Sequence, residues 1–170
     1  MKFLVLALCL FVFRSALAAV DVSQDPKYRV EIETKIKASL QAIRSAKTDA
    51  LRLDGVKKLR DELSADKERV RKDLDRAREA KKSADEVDRL DARDSEIVVF
   101  WYSFETVFSA VLSQSFANNA EFKRKACEQI PADVKFNDMA ALADNAPMPA
   151  HTVLALELAS AVCGGAETKK

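Results

Sequence analysis

With three glycines and four prolines among 170 residues, the chain has too few turn formers for an all-β fold, and helix is the default expectation. The same shortage leaves no material for a phosphate-cradling glycine loop or a nucleophile elbow, and neither motif occurs. There is one histidine, His151, so histidine pairs and two-histidine zinc sites are excluded. It reads as a surface or loop-packing residue. No Asp-rich loop with a turn glycine and terminal Glu is present, which removes the ordinary calcium motif. Charge of one sign is not in excess either, with 28 Lys+Arg against 27 Asp+Glu. Nothing in that balance draws the chain to nucleic acid or to an anionic membrane.

The longest apolar run, Phe3 to Phe13, is too short to span a bilayer. Preceded by Lys2 and followed by Arg14-Ser15-Ala16-Leu17-Ala18, it has the form of a secretory signal peptide over residues 1–18, with the mature start at Ala19. Two cysteines then remain, Cys127 and Cys163, and an oxidising compartment makes a single disulfide between them the economical reading. The expected setting is extracellular.

Residues 19–170 read as a single helical domain with two halves of opposite character. From Ala19 to Glu96, 39 of 78 positions are charged, whereas from Ile97 onward the figure is 14 of 74. The first half is mostly solvated helix face, and the second supplies the apolar surface. Asp25-Pro26 opens a first helix whose stripe Tyr28, Ile32, Ile36, Leu40, Ile43, Ala46, Ala50 and Leu53 steps by three and four residues. Asp54-Gly55 is expected to end it. A second helix is expected to run continuously from Val56 to about Arg93, the alternative being a break at Ser83-Ala84-Asp85-Glu86, which reads as a capping box. Asp94-Ser95-Glu96 reads as the next cap signal, so the central helix is expected to begin at Ile97 and to stop before Pro131, carrying Phe100, Phe104, Phe108 and Phe116. A short helix over Asp138–Asp144 and a last helix from Pro149, closed by a left-handed cap at Gly164-Gly165, complete the expected set. The fold class that follows is all-α: a long antiparallel helical hairpin packed on an apolar central helix, plus a short disulfide-pinned C-terminal helix.

Carboxylates stand close together at Asp61-Glu62, Asp73/Asp75 and Asp85-Glu86-Asp88. Acid catalysis needs one member of such a pair desolvated, and these lie among lysines and arginines on a wet helix. No catalytic residue, metal site or cofactor is therefore assigned. Two candidate binding features stand out. Arg69, Arg71, Arg76 and Arg78 form a basic stripe suited to an anion, and Phe100, Trp101, Phe104 and Phe108 form an aromatic stripe suited to an apolar pocket between helices. The leading expectation for function is a secreted, non-enzymatic helical binding protein that acts by contact with an extracellular protein, as an effector or inhibitor. The alternatives are a carrier of a small apolar ligand or lipid, and a coiled-coil oligomer formed by self-association.

Overall fold

The computed structural model describes residues 25–137 and 147–164. The expected signal peptide, the short helix at Asp138–Asp144 and Gly165 lie outside the described residues. Among the described residues there are six helices and no strand: α1 (Pro26–Ser45), α2 (Asp49–Glu79), α3 (Ala84–Val111), α4 (Gln114–Asn118), α5 (Ala120–Asn137) and α6 (Ala150–Cys163).

Asp25 caps α1 as expected, its carboxylate accepting the Tyr28 N–H at 3.1 Å with Pro26 in the first turn. The end of α1 is not at Asp54-Gly55. The chain leaves the helix at Ala46, and Thr48 starts α2 by accepting the Leu51 N–H at 3.3 Å. Gly55 is thus inside α2. Its missing side chain is a contact: a Cβ there would stand 2.7 Å from Ile43 Cγ1 of α1. The glycine expected to break a helix instead lets two helices approach.

The helix expected to run unbroken from Val56 to about Arg93 is two helices, parted at the capping box. α2 stops at Glu79 in a Schellman turn, in which Lys82 N–H donates to Ala77 O at 3.0 Å and Lys81 N–H to Arg78 O at 3.1 Å. Lys81 takes the left-handed conformation, φ 50°, that glycine usually supplies. The capping box works as predicted, Ser83 Oγ accepting the Glu86 N–H at 3.4 Å. From there α3 runs without interruption to Val111, so Asp94-Ser95-Glu96 starts no helix. Asp94 is instead buried against Arg71.

The central helix does not extend to Pro131. It ends at Val111, and Ser113 and Asn119 cap α4 and α5 by accepting the N–H groups of Phe116 and Phe122. Pro131 lies inside α5, where it costs one backbone hydrogen bond and about 3 kcal/mol. Buried Ile130 and Val134 flank it and fix that helix to the core. Gly164 is also a correction: its φ of −72° is right-handed, and its N–H continues the α6 ladder to Ser160 O at 2.7 Å.

The core is organised by one face of α3. Ile97, Phe100, Phe104, Val107, Phe108 and Val111 are at most 1 % exposed. Around them pack Tyr28 to Ile43 of α1, Val56, Leu59, Leu63 and Val70 of α2, Ile130 and Val134 of α5, and Leu154 to Val162 of α6. At about 25 cal/mol per Å², each fully buried Phe or Leu contributes roughly 2 to 3 kcal/mol, more than any surface ion pair. The tips of α2 and α3 reach beyond this core as a two-helix arm, where Leu74 and Ala77 are buried apart from it. The disulfide joins Cys127 of α5 to Cys163 on the last turn of α6, with Cα atoms 5.5 Å apart.

Candidate functional site

The four arginines of the basic stripe lie along α2, and each meets a carboxylate. Arg69 pairs with Asp66 at 2.9 Å, Arg76 with Asp73 at 3.5 Å and Arg78 with Asp91 of α3 at 2.8 Å. Arg71 grips Asp94 of α3 with both Nε and Nη2, the Nε bond being 2.9 Å long. That carboxylate raises the Arg71 pKa further above its already high ordinary value, first through the hydrogen bond and then through its charge. Arg71 and Arg78 therefore brace the arm, and an incoming anion would have to displace a carboxylate at every one of the four. The acidic clusters are likewise solvated. Asp61 sits 2.8 Å from Arg60, and Asp85 and Asp88 are exposed on the first turns of α3.

The aromatic stripe is core. Phe100, Phe104 and Phe108 are buried, with the rings of Phe104 and Phe108 5.8 Å apart, and His151 of α6 meets Phe100 edge-on at 5.9 Å. Trp101, half-buried at the margin, leans on Phe108 at 6.0 Å and carries Lys67 Nζ of α2 over its ring at 4.4 Å. These contacts join α2, α3 and α6 across the middle of the bundle.

Sequence reading missed two surface features. The first is an apolar groove of ≈ 700 Å³ between α5 and α6, with the disulfide, Pro131, Leu156 and Ala159 in its lining. A smaller cleft of ≈ 510 Å³ adjoins it at Ala120 and Lys123 and is walled by Asp49, Arg52 and Phe116. There Lys123 reaches Asp49 at 2.6 Å, and that hydrogen bond holds the Asp49 carboxyl below its ordinary pKa. The second feature is aromatic. Tyr102 of α3 is 67 % exposed and Phe136 of α5 is 73 % exposed. Val99, also exposed, shares a stripe with Tyr102 and Thr106, and Asn137 Nδ2 donates to Thr106 Oγ1 at 2.9 Å, which brings the end of α5 to this stripe. The signal for Tyr102 was present in the sequence, because position 102 is out of phase with the buried series 97, 100, 104, 108 and 111.

Elsewhere, Arg93 of α3 donates to the Asp25 cap at 2.7 Å and holds its carboxyl below the ordinary range. Tyr28 is the reverse case. Burial, then the negative charge of Asp66, push its phenol up to about 12, and its buried hydroxyl finds no hydrogen-bond partner among the described residues. Among the described residues no three His, Cys, Asp or Glu side chains gather in a way that could hold a metal ion. No described helix is long and apolar enough to cross a membrane. No protein-family model, curated protein or solved structure matches the chain.

Proposed function

We propose that this chain is a secreted, non-enzymatic binding protein that acts by contact with another extracellular protein through the face formed by Val99, Tyr102 and Phe136. The observation that carries this reading is the exposure of two large aromatic side chains on adjoining helices. Each offers extensive contact area for few rotatable bonds, and aromatic residues are enriched where protein interfaces hold most of their binding energy. Thr106 and Asn137 add polar groups beside them. Secretion is supported by the Lys2-led apolar run and by the use of Cys127 and Cys163 in a disulfide, a bond that persists in oxidising compartments. Among the described residues both thiols are joined and the carboxylate clusters are solvated, which gives an enzymatic reading no support.

The test places a photo-crosslinking residue at position 102 of the oxidised chain and irradiates it in the fluid into which the protein is secreted. A single dominant adduct is expected, lost on Phe136→Ser and absent when the crosslinker replaces Glu79 on the arm. Equal adducts from both positions, or none from position 102, would refute the assignment. Sedimentation of the chain alone separates a foreign partner from self-association, since a face used by a second copy gives a mass that rises with concentration.

A further inference from the structure

We propose that the groove between α5 and α6 is a binding site for a long-chain carboxylate, with the carboxylate on Lys135 and the apolar tail laid along the disulfide. α5 contributes residues from Ala120 to Lys135 at three- and four-residue steps, so the groove follows one whole face of the helix. Fifteen steps at the α-helical rise separate Ala120 from Lys135 and make it about 22 Å long. At ≈ 700 Å³ it falls in the size range of small-ligand sites. Its middle is apolar, built from the Cys127–Cys163 bridge, Pro131, Leu156 and Ala159. Small side chains at Ala159 and Ser160 leave the space that a larger residue would fill.

The charges select the class of ligand. Three cations line the groove, Lys123, Arg124 and Lys135, against one carboxylate, Glu128. Two of the cations are already matched, Lys123 by Asp49 at 2.6 Å and Arg124 by Glu128 at 2.7 Å. Lys135 has no carboxylate within ion-pair distance among the described residues. An apolar trough whose end carries an ammonium with no carboxylate partner among the described residues complements a molecule with a long apolar body and a single negative head. Lysine is a compact point charge with three donors, sufficient to hold the single negative head of such a molecule without a bidentate fork. The site is separate from the aromatic face of Tyr102 and Phe136 and does not depend on it.

The experiment uses the oxidised chain and a dansylated undecanoate, displaced in turn by palmitate and by hexadecanol. Saturable binding at one probe per chain is expected, with displacement by both competitors and tighter binding of palmitate. Lys135→Glu should weaken palmitate by about fivefold, the size of one partly exposed ion pair, and change hexadecanol by less than about twofold. Ser160→Trp, at an exposed lining position, should abolish binding of both while leaving the helical circular dichroism unchanged. Absence of saturable binding, or a Ser160→Trp protein that binds as the parent does, would overturn the site. Equal loss of palmitate and hexadecanol in Lys135→Glu would overturn the carboxylate assignment.

Discussion

Gly55→Ala tests the packing of the bundle at a point where two physical effects oppose each other. The residue lies inside α2, so replacing glycine by alanine gains about 1 kcal/mol of helix propensity. The new methyl group, however, would stand 2.7 Å from Ile43 Cγ1, with Cδ1 at 3.7 Å. Ile43 is 1 % exposed and β-branched on a helix, so it has one favoured rotamer and no free space to enter. Overpacking of that kind costs roughly 1 to 3 kcal/mol, and the net outcome is a loss of up to about 2 kcal/mol. In an Ile43→Ala background, which itself loses roughly 2 to 5 kcal/mol, the obstruction is gone and the cavity accepts the methyl. Gly55→Ala should then stabilise by about 1 kcal/mol, giving a coupling of about 1 to 3 kcal/mol in the double-mutant cycle. Urea unfolding of the four oxidised proteins at equal m measures it. If Gly55→Ala stabilised both backgrounds equally, glycine would be a mere weak point of the helix and the α1–α2 contact described above would be wrong.

Lys81→Gly should raise stability by about 1 kcal/mol, because glycine adopts the left-handed position of the Schellman turn without the Cβ penalty; a loss in the urea midpoint would contradict that turn. Reducing Cys127–Cys163, which closes a loop across a sequence separation of 36, should cost about 4 kcal/mol in the chain-entropy model, read as a lowered urea midpoint in dithiothreitol. Tyr28, raised from 10.0 to about 12, favours its neutral form in the folded chain, so its contribution is intact below pH 10 and is lost as the unfolded phenol ionises between pH 10 and 12. Tyr28→Phe should flatten that alkaline loss and, by removing an unpaired buried hydroxyl, leave neutral-pH stability unchanged or higher by up to about 1 kcal/mol; unfolding curves at pH 7 and pH 11 check both.

Periodicity alone located most of the core. The stripes of α1 and α3, the Asp25-Pro26 start and the α6 segment are local patterns of spacing and capping, and the Cys127–Cys163 pairing was expected because only these two cysteines follow the apolar run at residues 3–13. What escaped depends on neighbours distant in sequence. Whether Gly55 breaks a helix or seats one depends on Ile43 packing against it. Pro131 is tolerated because Ile130 and Val134 are buried on either side of it. Asp94, expected as part of a cap, is instead held by Arg71 on the preceding helix. The candidate sites divide in the same way. The basic and aromatic stripes were visible as composition, but their carboxylate partners and their burial are tertiary facts. The α5–α6 groove arises between two segments that the sequence separates by the stretch 138–149, and no single-helix pattern announces it.

The central claim is that residues Ile97–Val111 of α3 form the stable axis around which the other helices pack, while the arm formed by α2 and the start of α3 lies outside that core. Amide hydrogen exchange of the oxidised chain tests this most directly, since protection reports local opening along the backbone. The account predicts the slowest exchange at Ile97–Val111 and at Leu154–Val162, with Leu74–Glu79 and Ala84–Leu90 exchanging far faster. Exchange at Ile97–Val111 as rapid as that of the arm would contradict it.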